Sequence, residues 1–244
     1  MIIRKNNRTI EQSNKEAEFD NYAQGYTSEI EENISAILKG NSHEYFNQYK
    51  IFYLRKIFNS QRKQAPLKVL DYGCGVGLFS RTIFNALPDA IIHGFDVSSE
   101  SIKLVPQEIR INDNRFTSTL DDLDSDYDIA MLITVLHHVI PVSERPGVIN
   151  NIYKRLKPGG KLIINEVNMT NPLMRKFVNS LSLDANAVML KPRECINLLT
   201  HAGFRNINNK YVIFFPKQLS RLRFLDKFIS WLPLGAQYLT IGEK

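Results

Sequence analysis

Apolar residues along the chain follow two alternating periods. Short unbroken runs bounded by charge, proline or glycine read as buried strands, and apolar residues three and four apart read as one-sided helices. Runs at Leu67–Leu70, Ala90–Phe95, Arg115–Ser118, Tyr127–Ile133, Lys161–Glu166, Tyr211–Phe215 and Ala236–Ile241 predict seven strands. The third is weak. The fourth is nearly all apolar, as a central parallel strand buried on both faces must be. Helical spacing fills three of the intervals: Phe79–Leu87, closed by Pro88-Asp89; Ser101–Ile109, weakened by Pro106; and Cys195–His201, closed by Ala202-Gly203. Ahead of the first strand, Phe19, Tyr22, Ala23 and Tyr26 share one helical face, and Tyr45, Phe46, Tyr49, Ile51, Phe52, Leu54 and Ile57 mark a stronger second helix. The run Tyr45-Phe-x-x-Tyr49-Lys50 suits core packing better than a pocket wall. Strands alternating with helices predict an α/β domain around a mostly parallel sheet.

The first strand breaks into Gly73-x-Gly75-x-Gly77 and restarts as a helix at Leu78. Glycine reaches backbone angles other residues avoid, and its missing side chain lets a ligand lie against the main chain. The following helix start offers unpaired N–H groups. No Gly-Lys-Ser/Thr follows, which excludes a phosphate-cradling P-loop, and Leu78 stands where a dinucleotide fingerprint needs glycine or alanine. Asp71, two residues before the first glycine, repels a pyrophosphate but suits an ammonium group. Asp96 ends the second strand about twenty residues on, where such folds accept ribose hydroxyls on a carboxylate; its other reading is a helix cap with Ser98 or Ser99. Cys74 reads as a small residue that fits the loop. His93 alternates with buried strand residues and reads as a satisfied, half-buried histidine.

Val69-Leu70-Asp71-Tyr72-Gly73-Cys74-Gly75-Val76-Gly77 resembles motif I of the class I S-adenosylmethionine-dependent methyltransferases. Two further stretches carry the likeness: Leu136-His137-His138 after the fourth strand, and Leu156-Lys157-Pro158-Gly159-Gly160 before the fifth, a helix-to-strand turn. The resemblance covers roughly residues 45–244. It implies a Rossmann-like sheet of seven strands, mostly parallel, with the last antiparallel. It implies that Asp71 with the loop of Gly73, Cys74, Gly75 and Gly77 holds the methionine end of S-adenosylmethionine. Asp96 and Val97 would take the ribose side, Thr119, Leu120 and Asp121 the adenine, and Thr134 the start of the turn beside the pocket. Residues 19–64 would form a helical lid carrying Tyr26 over the cofactor, after a flexible start at 1–18, and 65–244 the methyltransferase domain, with 170–190 and 217–232 shaping the substrate site. His137 or His138 would serve as base toward a hydroxyl acceptor. Enzymes that methylate nucleic-acid bases place Asn/Asp-Pro-Pro-Tyr/Phe where this chain has Leu-His-His, so the expected acceptor is a small molecule or an amphiphile such as a lipid-linked glycan or a quinone-like lipid, and no nucleic acid is expected.

Composition narrows this little further. The 244 residues carry a formal charge of +6 and two cysteines, too few for a disulfide framework and suited to a reducing cytoplasm. The N-terminus lacks the apolar stretch of a signal peptide. Asp121, Asp122, Asp124, Asp126 and Asp128 crowd one stretch, while Arg205, Lys210, Lys217, Arg221, Arg223 and Lys227 face a single acid, Asp226, between Phe204 and Trp231. Residues 217–232 predict a helix with two apolar stripes beside that charge, which suits peripheral contact with the inner membrane face, the mouth of an amphiphile site, or packing against a second element. No metal-ligand spacing appears. A nicotinamide-dependent oxidoreductase shares the glycine turn but not Leu78 or Asp71, and a catalytically inactive cofactor-binding regulator is the third reading.

Overall fold

The computed structural model describes residues 42–61, 66–179 and 186–244. The first helical stretch of the expected lid, Tyr26 within it, the start at 1–18 and the middle of 170–190 lie outside the described residues. A seven-stranded sheet forms the frame: β1 (Lys68–Tyr72), β2 (Ile91–Phe95), β3 (Arg115–Thr117), β4 (Tyr127–Ile133), β5 (Leu156–Val167), β6 (Arg205–Val212) and β7 (Gln237–Glu243). Their spatial order is β3-β2-β1-β4-β5-β7-β6. β7 runs antiparallel to both β5 and β6, while the β1–β5 pairings are parallel. This is the expected Rossmann-like sheet.

Side-chain alternation divides the core between the two faces. Val69, Ile92, Met131, Ile163 and Leu239 pack with Tyr49, Leu54 and Phe58 of α1 (His43–Gln61) and with Phe79 and Ile83 of α2 (Leu78–Ala86). Their strand neighbours Leu70, Ala130, Leu132, Leu162, Ile164 and Tyr238 pack on the other face. There they meet Ile149 and Ile152 of α4 (Arg145–Arg155) and Cys195 and Leu199 of α6 (Pro192–His201). Each fully buried Leu or Ile contributes roughly 1.5–3 kcal/mol, so both faces hold the sheet.

Four elements differ from the sequence expectation. α3 (Ser99–Leu104) stops before Val105-Pro106, because the residue before a proline is driven to the extended region, and a separate 3-10 turn covers Gln107–Ile109. The stretch Leu156-Lys-Pro-Gly-Gly is a bulged start of β5, not a free turn: pairing passes from Tyr127↔Leu156 to Ile129↔Lys161. Gly160 is needed there for close approach, since a Cβ would lie 2.9 Å from the Lys157 carbonyl and 3.0 Å from that of Tyr127. β6 falls on polar residues 205–212 because it is an edge strand, and Ile213, with φ 64°, ends it. Residues 217–232 form no continuous α-helix. A 3-10 stretch, Lys217–Leu225, irregular at Leu219, precedes one α-helical turn, α7 (Asp226–Ile229). Asp226, which opens that turn, has a buried carboxylate that accepts hydrogen bonds from Tyr49 (2.5 Å) and Tyr53, both on α1.

Between β5 and α6 lies α5 (Pro172–Val178), capped by Asn171, which accepts from Leu173 N and Met174 N. Met174, Phe177 and Val178 pack on Val167 and Phe46, which places this helix beside α1. No described helix is long and apolar enough to cross a membrane.

Two glycines give opposite stability predictions. A Cβ on Gly235 would sit 2.5 Å from the Val212 carbonyl oxygen, a backbone atom that cannot step aside, whereas one on Gly147 in α4 meets nothing within 4 Å. Gly235→Ala should cost about 1–3 kcal/mol and Gly147→Ala should gain up to about 1 kcal/mol. Urea unfolding checks both; a neutral Gly235→Ala would contradict the packing described.

Candidate active site

The site is built on the carboxyl ends of the parallel strands, where the turn after β1 meets the turn after β4. Gly73, Gly75 and Gly77 have φ of 82°, 53° and 80°. At Gly73 the geometry also demands a missing side chain, because a Cβ would lie 2.5 Å from Val135 in the turn after β4. Gly73 N and Cys74 N both donate to the Phe95 carbonyl, at 2.6 and 2.9 Å, which fixes the loop to the end of β2. Asp96 completes the lock. One of its oxygens accepts from Gly75 N at 2.8 Å and the other from Ser98 N at 3.0 Å. The cap of α3 is Ser98, whose hydroxyl accepts from Ser101 N. Asp96 therefore ties the loops after β1 and β2 together, and Ser98 takes the capping role.

Asp71 is buried at the end of β1 and accepts from Ser80 Oγ at 2.6 Å. Burial pushes its carboxyl up to about 6; the Ser80 bond and the Lys50 ammonium oppose the rise, and Asp96 adds to it. Lys50 is 4 % exposed, although lysine is almost never fully buried. Among the described residues its Nζ makes one hydrogen bond, to Asn47 Oδ1 at 3.3 Å, and lies 5.6 Å from the centre of the Phe79 ring. Burial lowers its pKa to about 8 against the pull of Asp71 and Glu166. Sequence reasoning noted Lys50 only as the last residue of a core-packing run. Tyr45 and Tyr49 do sit in the core, and Lys50 turns out to be the charged member among them. The signal was a lysine directly after an apolar stripe.

Across the switch from β1 to β4, Thr134 opens the next turn with φ 56°, donating its N–H to the Asn165 carbonyl. Leu136–His138 follow as a 3-10 turn. Glu166, at the end of β5, holds that turn: one oxygen accepts from Leu136 N at 2.8 Å and the other lies 2.5 Å from His137 Nδ1. Both side chains are buried, and His138 is half-buried with its ring centre 4.1 Å from that of His137. The two histidines thus differ: His137 is fixed by a carboxylate, and His138 lies against it. Glu166 was legible only as an acid at a strand end; its pairing with His137 was not.

The remaining expected residues flank the glycine loop on its β2–β3 side. Val97 is exposed, Thr119 donates its N–H to Thr117 Oγ1, and Leu120–Asp122 form a 3-10 turn with Asp121 exposed. Asp122 is engaged by Thr117 Oγ1 at 2.8 Å. Cys74 is buried beside the loop, its thiol pushed well above its usual range by burial, so it fills space. His93 is buried between the Tyr127 hydroxyl and the Asp113 carbonyl, and is satisfied as expected. Among the described residues no group of three or more His, Cys, Asp or Glu is placed to hold a metal.

Strand order, glycine turn and the acid after β2 define a Rossmann-like nucleotide-binding domain. Residues 70–162 match the family model of a methyltransferase domain. Over 119 residues the chain is 34 % identical to a ubiquinone biosynthesis O-methyltransferase of Rickettsia akari, covering 45 % of this chain and 43 % of the relative. A tRNA N(3)-cytidine methyltransferase of Gallus gallus is 26 % identical over 169 residues, covering 59 % and 45 %. The match thus spans less than half the length of these curated relatives. A SAM-dependent methyltransferase of Thermotoga maritima shares the fold, with a TM-score of 0.63 at 18 % identity over 93 % of this chain and 99 % of that one. The chain thus carries a methyltransferase-domain match over residues 70–162 and shares the fold of SAM-dependent methyltransferases.

Asp71 sets a pH dependence that can be isolated. Its raised pKa means the folded protein binds this proton more tightly than the unfolded chain, so its contribution to stability is largest near pH 4 and falls as the pH rises through about 6. Asp71→Asn removes the titration. In urea melts the stability of the variant relative to wild type should grow between pH 4 and about 6 and then level off. Parallel curves would contradict the buried carboxyl.

Proposed function

We propose that the protein transfers the methyl group of S-adenosylmethionine to a hydroxyl oxygen of a small-molecule or lipid-linked, quinone-like acceptor. The observation that carries this reading is the buried His137–Glu166 pair at the carboxyl edge of β4 and β5, beside the glycine loop. The cofactor is a zwitterion joined to a nucleoside, and the residues present fit both parts. Asp71 suits the ammonium group. Lys50, buried with one hydrogen bond among the described residues, has donors for the carboxylate. Asp96 and Val97 suit the ribose, Thr119, Leu120 and Asp121 the adenine, and Thr134 opens the turn after β4.

When bound, the sulfonium supplies an electrophilic methyl group, so the protein's task is chiefly to position the acceptor. Glu166 accepts the His137 Nδ1–H and thereby leaves Nε2 as the basic nitrogen, able to take the hydroxyl proton as the oxygen–carbon bond forms. Glu166 also holds the Leu136 N–H, so one carboxylate sets both the tautomer and the position of the turn. His138, its ring tilted 46° to that of His137 with the centres 4.1 Å apart, packs against it. The name of the Rickettsia relative supports an oxygen acceptor. That of the Gallus gallus relative supports a nucleic acid, against which stands the Leu136-His137-His138 turn.

Methyl transfer from labelled cofactor to catechols and hydroquinones tests the proposal. His137→Ala and Glu166→Gln should lower kcat by about 100- to 10,000-fold while cofactor affinity stays near wild type. Transfer that survives both substitutions would remove His137 as the base, and no transfer to any hydroxyl acceptor would remove the reaction.

A further inference from the structure

Residues 217–234 combine features that a packed core segment does not have. Phe224, Phe228, Trp231 and Leu234 are each at least 60 % exposed, and Leu219 is close behind. Lys217, Arg221 and Lys227 are exposed among them. The only acid in the stretch, Asp226, is turned inward and buried against Tyr49 and Tyr53. The usual pattern is inverted: the aromatic rings face solvent and the carboxylate is buried.

The segment is also firmly mounted. Arg223 places its guanidinium over the rings of Tyr45 and Tyr49, 4.6 and 4.2 Å from their centres. Asn168 Nδ2 donates to the carbonyls of Pro233 and Gly235, Thr170 Oγ1 to that of Pro233, and Asn171 Nδ2 to that of Leu234. Trp231 Nε1 donates to the Phe228 carbonyl at 3.0 Å. Its one polar hydrogen is therefore satisfied inside the protein, and the indole enters an apolar medium without leaving a donor unpaired.

We infer that this face docks on an anionic lipid bilayer, with Phe224, Phe228, Trp231 and Leu234 at the acyl boundary and Lys217, Arg221 and Lys227 against the headgroups. Aromatic rings with basic neighbours match a bilayer interface in both polarity and charge. The inference stands independently of the methyl-transfer reading, since none of these side chains belongs to the site.

Trp231 is the only tryptophan in the chain and reports directly on docking. Titration of the full chain with phosphatidylcholine vesicles containing a quarter phosphatidylglycerol should shift its emission to the blue and sediment the protein. Vesicles of phosphatidylcholine alone should do neither, and high salt should weaken the effect. Phe228→Ala should lower the partition coefficient about tenfold. Replacing Lys217, Arg221 and Lys227 together by Gln should remove the preference for anionic lipid. All four side chains are exposed, so an unchanged thermal melt verifies that the variants fold. Unchanged emission with anionic vesicles would overturn the inference. So would a blue shift that tracks protein concentration without lipid, which marks self-association, or a response to tRNA in place of vesicles.

Discussion

Three ionisable side chains, Lys50, Asp71 and Glu166, are each less than 5 % exposed at the carboxyl edge of the sheet, and the arrangement of the site depends on them. Removing a charge from water costs several kcal/mol even after relaxation, so such groups persist where they act on one another or on a ligand. Here they act on one another and on neighbouring polar groups, which leaves Asp71 and Lys50 placed for a ligand as well. Lys50 lies within electrostatic reach of both carboxylates, Ser80 holds Asp71, and Glu166 holds His137 and the Leu136 amide. α1, which contributes Lys50, is thereby bound to the sheet at the point where the strand order reverses.

Around that centre the backbone is drawn together by short polar links. Asp96 joins the glycine loop to the turn after β2, and Gly73 lets the turn after β4 close on the same loop through Val135. Three strand ends are therefore tied to one loop, which suits positioning chemistry. α1 serves two surfaces at once. Lys50 faces the site, while its neighbours Tyr49 and Tyr53 hold Asp226 and with it the aromatic face of residues 217–234.

What the sequence made legible follows from locality. The β1–glycine–α2 unit, β2, β4 and the histidine turn were readable because continuous apolar runs and turn residues lie close together in the chain. β6 was misplaced because an edge strand exposes one side and carries a polar sequence, Arg205 to Lys210, with no apolar alternation to find. Residues 217–232 show a helical period, yet Asp226 is held inward by Tyr49 and Tyr53, 177 and 173 residues away, a contact that no local period reveals. Lys50 and Glu166 were missed as partners for the same reason: burial and electrostatic pairing arise only once α1 has docked on the sheet.

The central claim is that Asp71 and Lys50 recognise the zwitterionic tail of a sulfonium nucleoside on a loop that rejects a dinucleotide. Calorimetric titration with S-adenosylmethionine, 5′-methylthioadenosine and NADH tests it most directly. The account predicts micromolar binding of the first, much weaker binding of the second, which lacks the amino acid, and none of the third. Binding of NADH, or equal affinity for the first two, would contradict it.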